Sequence, residues 1–178
     1  MAKICIDARM WGIKNTGIGR YIENLIDNLP GEVTLIVSPD AINEPKLARF
    51  KKHVAIFHPY SNLAQFEMGW LLLKIQPDLL HIPHFTIPIL WPGKMVVTIH
   101  DLIKHQSRGS DTTTRNPLIY WIKYLQYLLI VQIALWRASH IIVPAQYWKD
   151  VLVHDHHVPA TKISVTYEGV SHVFDLHR

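Results

Sequence analysis

The 178-residue sequence lacks several features that mark common protein classes. It contains one cysteine, Cys5, which cannot form an intrachain disulfide and points to a reducing compartment. The net charge is +4, but the lysines and arginines are scattered, so nucleic acid is not an expected partner. There is no Gly-x-Ser-x-Gly nucleophile elbow and no Walker phosphate loop. These absences argue against a disulfide-stapled fold and a nucleic-acid-binding module. They also argue against a nucleophile-elbow hydrolase site and a Walker-type nucleotide site.

The sequence also lacks internal repeats, low-complexity linkers and a signal-peptide pattern. Residues 1–3 are followed directly by an apolar strand pattern, which predicts a cytoplasmic location. With 49% hydrophobic residues, the chain can bury a substantial core. We therefore predict one domain over residues 1–178.

Short apolar segments alternate with helical patterns along the chain. Strands are predicted at residues 4–8, 33–37, 53–57, 79–83, 95–99, 140–143 and 163–167. Helices are predicted at residues 16–29, 46–51, 62–75, 117–137 and 145–154. In the helix at 62–75, one face carries Leu63, Phe66, Trp70 and Leu73. This alternation predicts an α/β fold, a Rossmann-like, doubly wound, mainly parallel seven-stranded sheet with helices on both faces.

The predicted helix at 117–137 is almost wholly apolar and close to the length that spans a bilayer. It lies between two strands of one predicted sheet, where a spanning helix would split the domain. We therefore interpret it as a sheet-covering helix. Because it is apolar on nearly all sides, it should still expose apolar surface, which allows contact with a membrane or another domain.

The first strand is followed by a loop that brings Gly17 and Gly19 to the start of a helix, with Thr16 as the predicted N-cap. Glycines let a ligand approach the backbone, and a helix N-terminus favours an anion, so one interpretation is a phosphate site. The alternative is a tight turn that needs glycine only for its backbone. The fingerprint of a dinucleotide-binding fold is matched only in part. Asp40 could supply its acidic residue, but Ile22 stands where its third glycine is required.

Ligands of doubly wound sheets bind beyond the carboxyl ends of the strands, and this rule selects the remaining candidates. His100 and Asp101 follow the fifth strand and are the strongest pair, since a histidine there could transfer a proton or stabilise a developing charge. His81 and His84 could be metal ligands, but no cysteine or carboxylate lies near them in sequence. Structural or substrate-contacting roles suit them better, and we predict no metal site.

Five segments, residues 7–9, 16–21, 81–84, 97–102 and 162–170, occur in an order that resembles a known family. Together they resemble the N-terminal domain of GT-B glycosyltransferases of the retaining family-four type. The resemblance covers most of the chain. It implies an N-terminal, acceptor-side Rossmann-like domain and a separate C-terminal donor-binding domain that is absent from these 178 residues.

The resemblance also implies roles for individual residues. Gly17, Gly19 and Arg20 would lie near the donor diphosphate, and His100 with Asp101 near the reacting sugar. Contacts with the acceptor would come from the following residues: Arg9, His81, His84 and Phe85. The implied reaction transfers a mannose- or glucose-type hexose from a sugar nucleotide to a glycan or lipid-linked acceptor, with retention, in polysaccharide assembly. Neither a metal nor another cofactor is implied.

Two alternatives remain open from the sequence, a freestanding nucleotide- or sugar-binding module and a nicotinamide-dependent oxidoreductase domain. The segment 144–147 departs from the family's pattern, which leaves any ligand contact by that loop in doubt. We further predict peripheral contact with the inner face of the membrane. Self-association is predicted through aromatic residues exposed at the carboxyl edge, namely Phe85, Tyr147 and Trp148.

Overall fold

The computed structural model describes residues 2–30, 32–102 and 117–169. The strands are β1 (Ile4–Asp7), β2 (Thr34–Val37), β3 (Lys51–Val54), β4 (Leu79–Ile82), β5 (Met95–Thr98), β6 (His140–Val143) and β7 (Ile163–Val165). They form one sheet in the order β3-β2-β1-β4-β5-β6-β7, and every neighbouring pair is parallel. The predicted seven-stranded α/β sheet is therefore confirmed.

Helices cover both faces of this sheet. One face carries α1 (Thr16–Asp27), and the other carries α2 (Leu63–Ile75), α3 (Pro117–Arg137) and α4 (Gln146–His154). Short 3-10 turns lie at Ile13–Asn15, Pro39–Ala41, Pro45–Leu47 and Ala160–Lys162. The doubly wound arrangement agrees with the prediction.

The two faces bury separate cores, and β1 contributes to both because successive side chains of a strand point in opposite directions. Cys5 packs into the core beneath α2 and α3, whereas Ile6 packs beneath α1. Strands covered on both sides are apolar at every position, which explains the continuous apolar runs in the sequence. Burial, followed by the charge of Asp7, raises the pKa of the Cys5 thiol to about 12, so this cysteine is an inert core residue.

The third strand differs from its prediction. It covers Lys51–Val54 rather than 53–57, and the helix predicted at 46–51 is replaced by a 3-10 turn at Pro45–Leu47. β3 is an edge strand that pairs only with β2, so its side chains are largely solvated and lysines are tolerated there. The apolar pattern therefore marked the segment that follows the strand rather than the strand itself.

The orientation of α2 could not be read from the sequence. Leu63, Phe66, Trp70 and Leu73 do share one face, as the spacing predicts, but that face is exposed. The side buried against the sheet carries smaller and aliphatic residues, namely Ala64, Met68, Leu71, Leu72 and Ile75. Because α2 is apolar on nearly all sides, its periodicity does not distinguish the buried face from the solvent face.

Helix α3 covers the sheet, as the sequence indicates. Val131, Ala134 and Leu135 are buried in the same core as the inner face of α2. Trp121, Leu125 and several other large apolar side chains of α3 point away from the sheet and are exposed. In the described part of the chain, no helix combines the length and hydrophobicity needed to cross a membrane.

Candidate functional site

The candidate site lies where the winding of the chain reverses beside β1. Helix α1 connects β1 to β2 on one face, whereas α2 leads into β4 on the other. Such a switch point opens a crevice at the carboxyl ends of the strands, where ligands of α/β sheets bind. The segments that follow β1, β4, β5 and β7 meet at this edge of the sheet.

His100, which follows β5, is held between two hydrogen-bond acceptors. Its Nε2 donates to the carbonyl oxygen of Pro83 at 3.0 Å, and its Nδ1 lies 3.0 Å from Oε1 of Glu168. The ring of Tyr21 packs edge-on against the imidazole, with 4.7 Å between ring centroids. Because both polar partners are acceptors, the imidazole satisfies both only when both of its nitrogens are protonated. The His100 side chain is 16% exposed, so it is held in place but can still be reached from the crevice.

Beneath His100, a chain of hydrogen bonds connects β4, β5 and α1. The hydroxyl of Thr98 lies 2.9 Å from Nε2 of His81 and 3.3 Å from the hydroxyl of Tyr21. Burial, followed by electrostatic interaction with His100 and His84, lowers the pKa of His81 to about 4. His81 is therefore neutral at physiological pH. It supports the Thr98 hydroxyl and contributes no charge to the crevice.

Two of the predicted acceptor contacts, Arg9 and His84, lie beneath the edge of the sheet. Nε and Nη2 of Arg9 bond the two carboxylate oxygens of Asp7 at 2.8 and 2.7 Å, and Nη1 donates to the carbonyl of Phe57 at 3.3 Å. Nδ1 of His84 accepts from the backbone N–H of Thr86, so the proton is on Nε2, which faces Asp7 at 3.3 Å.

This ion pair is fully enclosed by protein. The exposed fractions are 0% for Asp7, 6% for Arg9 and 1% for His84. Burial alone would raise the pKa of Asp7, but the charge and hydrogen bonds of Arg9, together with His84, hold it well below its usual range. The cluster therefore joins the loops after β1, β3 and β4. The acceptor contact expected of Arg9 and His84 stays a prediction, and their burial gives it no geometric support.

Phe85, another predicted acceptor contact, borders an open cavity of about 450 Å³ between α2 and α3. Its ring lies between those of Tyr60 and Tyr127, at centroid distances of 6.0 and 5.2 Å. Burial first, and then the negative charge of Asp101, raises the pKa of Tyr127 to about 12. Thr86 also borders the cavity, and among the described residues its buried hydroxyl has no hydrogen-bond partner. The cavity is thus aromatic with a few polar groups, the composition of a small-ligand site.

The predicted pairing of His100 with the adjacent Asp101 is modified by the fold. The carboxylate that contacts the imidazole belongs to Glu168, 68 residues further along the chain. Glu168 follows β7 and therefore lies at the carboxyl end of a strand. That position was the sole sequence signal for it, since the pairing requires the loops after β5 and β7 to meet.

The glycines at the start of α1 have different environments. Gly17 is exposed, and a Cβ built on it would meet nothing within 4 Å. Gly19 is buried, and its Cβ would lie 2.0 Å from the carbonyl oxygen of Gly12. The helix begins at Thr16 rather than after it, with Asn15 at the N-cap, so the predicted Thr16 cap is wrong by one residue. The Asn15 side chain makes no capping bond, because its amide donates to the carbonyl of Trp11.

Gly17 and Arg20 border a second cavity, of about 550 Å³, between α1 and residues 166–169. Tyr21 and Glu168, whose side chains contact His100, line the same cavity. The structure therefore brings two of the three predicted diphosphate-binding residues next to the partners of His100. Gly19 is the exception, because it is buried against the backbone carbonyl of Gly12 in the preceding loop.

The two glycines allow a matched test. We expect Gly19→Ala to destabilise the domain by about 2 kcal/mol, because the added methyl group collides with backbone that cannot rotate away. Gly17→Ala has open space around it and should change the free energy of unfolding by less than about 0.5 kcal/mol. Chemical denaturation of both variants measures the difference. Equal stability would contradict the packing role of Gly19.

In the ranges that the structure describes, no group of three or more His, Cys, Asp or Glu side chains could hold a metal ion. The clustered functional groups are instead a partly buried histidine, a helix N-terminus with Arg20, and an aromatic cavity. This set can bind an anion next to an aromatic subsite suited to a small polar ring.

The fold is that of the Rossmann-like domains of GT-B glycosyltransferases. Anabaena HepE, solved in complex with UDP and glucose, superposes with a TM-score of 0.62 at 13% identity, over 96% of this chain and 45% of HepE. A glycosyltransferase from Rickettsia africae superposes with a TM-score of 0.50 at 12% identity, over 96% of this chain and 44% of that one. The chain thus spans a little under half the length of these two proteins.

The sequence match assigns the family. Residues 15–173 match the model of Glycosyltransferase Family 4, and the chain belongs to this family. This result confirms the resemblance to family-four glycosyltransferases that the sequence motifs indicated, while the retaining reaction stays a prediction. No curated protein matches the chain.

Proposed function

We propose that the chain is the N-terminal, acceptor-side domain of a hexosyltransferase. The enzyme would transfer a mannose- or glucose-type sugar from a sugar nucleotide to a glycan or lipid-linked acceptor, with retention, during cytoplasmic polysaccharide assembly. A C-terminal domain would bind most of the donor. Membership of Glycosyltransferase Family 4 supports sugar transfer, and the coverage of less than half of HepE, whose structure contains UDP and glucose, supports a second domain.

The observation that carries this proposal is the environment of His100. The imidazole lies at the switch point, and its partners Tyr21 and Glu168 line the cavity that also contains Gly17 and Arg20. Glu168 is 48% exposed, so its carboxylate can move away from Nδ1 of His100. A hydroxyl of the reacting sugar could then take its place and accept a hydrogen bond from Nδ1. As the bond between the sugar and the diphosphate breaks, Arg20 and the N-terminus of α1 would stabilise the departing negative charge.

The aromatic cavity between α2 and α3 suits the acceptor. Tyr60, Phe85 and Tyr127 offer ring faces for a sugar, and the buried Thr86 hydroxyl offers an unused hydrogen-bonding group. Asp101, which follows β5 at the same edge of the sheet, would accept a hydrogen bond from an acceptor hydroxyl. In this arrangement Phe85 and Asp101 contact the acceptor, while Arg9 and His84 hold the surrounding loops.

The isolated chain should bind sugar nucleotides weakly and should not transfer sugar, because the proposed donor site lies mostly in the second domain. The test incubates the 178-residue chain, and separately the chain extended by its downstream coding sequence, with UDP-, GDP- and ADP-hexoses and a panel of glycan and lipid acceptors. Mass spectrometry of the products should show transfer by the extended protein only. Robust transfer by the 178 residues alone would contradict the two-domain proposal, and inactivity of both would count against the transferase itself.

A further inference from the structure

A third cavity, of about 310 Å³, lies beside the start of α1 and shares no lining residue with the two cavities described above. One side is formed by the loop after β1, with Trp11, Gly12 and Asn15. The other side is formed by the turn after β2, with Asp40 and the nearby Glu44. Because β1 and β2 are neighbouring parallel strands, the third cavity lies at the carboxyl edge, where α/β sheets bind ligands.

The side formed by the loop after β1 is aromatic and held in place. The Trp11 side chain packs against the core beneath α1 but is only partly buried, and it borders the third cavity. Nδ2 of Asn15 donates to the carbonyl of Trp11 at 3.3 Å, which ties the two ends of the loop together. Gly12, between them, has a φ of 98°, a conformation that favours glycine. A fixed indole beside an open cavity provides a surface on which a ring can pack.

The charged side chains that line the third cavity are two lysines and three carboxylates, a net charge of −1. Lys46 donates to Oε1 of Glu23 at 2.6 Å, so these two charges are paired. The other three are Lys14, Asp40 and Glu44, and in the described part of the chain their side chains make no hydrogen bond or ion pair. The two unpaired carboxylates can accept hydrogen bonds from hydroxyl groups, whereas the negative net charge disfavours a phosphate.

Asp40 lies just beyond the second strand, where a dinucleotide-binding fold places the carboxylate that binds ribose hydroxyls. The phosphate-binding part of that arrangement is not reproduced here. Ile22 stands in the place of the third glycine and is fully buried in the core beneath α1. The third cavity therefore has the group that recognises a sugar without the group that recognises a phosphate.

We propose that the third cavity binds a neutral sugar ring with adjacent hydroxyl groups, supplied either by a glycan or by the ribose of a nucleoside. The carboxylates of Asp40 and Glu44 accept hydrogen bonds from these hydroxyls, and bonds to a charged acceptor are stronger than those to a neutral one. The ring packs against Trp11. This site lies outside the crevice around His100, and the proposal is independent of the sugar-transfer reaction.

The test follows the indole N–H signal of Trp11 in ¹H–¹⁵N NMR spectra of the 178-residue chain, titrated with maltotriose or with adenosine. The chain has six tryptophans, and the signal missing from a Trp11→Phe variant identifies that of Trp11. Trp11 does not line the aromatic cavity between α2 and α3, so its signal separates the two sites. We expect a saturable shift with a Kd on the order of 1 mM.

Two variants remove the negative charges while keeping the side-chain shape. Asp40→Asn should raise the Kd about tenfold and Glu44→Gln about fivefold, because each replaces a charged acceptor by a neutral one. The matched control is Asp155→Asn, which removes an exposed carboxylate at the end of α4 and should leave the Kd unchanged. Circular dichroism checks that every variant is folded.

The two probes distinguish the sources of the sugar ring. A shift with maltotriose alone assigns the third cavity to a glycan, and a shift with adenosine alone assigns it to a nucleoside. Either result supports the proposal. It would be overturned if neither probe shifts the Trp11 signal in a saturable way, or if Asp40→Asn and Glu44→Gln both bind like the parent chain.

Discussion

In the complete enzyme, His100→Ala should lower kcat by about a hundredfold or more, with a much smaller change in donor affinity. The imidazole lies at the switch point and is held by hydrogen bonds with Pro83 and Glu168. Under the proposed function, removing it would take away an interaction with the reacting sugar, whereas Gly17 and Arg20 would still contact the diphosphate. Steady-state kinetics with a defined sugar nucleotide separates the effect on kcat from that on KM.

His140→Ala is the matched control for this experiment. His140 also makes a side-chain hydrogen bond, to the hydroxyl of Ser164 at 2.8 Å, but it lies at the start of β6, away from the carboxyl edge. The His140→Ala enzyme should have the same kcat as the parent enzyme. A His100→Ala enzyme with the parent kcat and a lowered melting temperature would show that His100 is structural, and our assignment would be wrong.

Asp7→Asn should be the most destabilising single change in the domain. It leaves the guanidinium of Arg9 buried without its counter-charge, and breaking a buried pair in this way costs about 3–5 kcal/mol. For a domain of this size the melting temperature should fall by about 10 °C. Asp40→Asn, an exposed carboxylate in the turn after β2, should change stability by less than about 0.5 kcal/mol. Similar melting temperatures for the two variants would refute the structural role of the cluster.

The Asp7 cluster also predicts a pH dependence. The pKa of Asp7 is lower in the folded chain than in the unfolded chain, because Arg9 and His84 outweigh the opposing effect of burial. Its contribution is therefore complete above the unfolded pKa of about 3.9 and is lost as the pH falls below that value toward the folded pKa. The stability difference between the parent and Asp7→Asn should be constant near neutrality and shrink below pH ~4. Denaturation series at several pH values measure it.

Much of the candidate site could be located from the sequence because it follows strand ends. Gly17, Arg20 and His100 are each next to a strand or helix boundary, and the parallel sheet brings those boundaries to one edge. Which of these side chains are buried could not be predicted in this way. Arg9 and His84 occupy equivalent positions but point inward, because the carboxylate of Asp7 at the end of β1 is buried and requires partners.

The sequence by itself determined the class of fold, the number of strands and the family, because alternating apolar segments and ordered motifs are local properties of the chain. The tertiary structure decided which carboxylate contacts His100, since Glu168 reaches it only when the loops after β5 and β7 meet. It also decided which side of α2 is exposed. Both sides of that helix are apolar, so only the contacts with the sheet select the face that is buried.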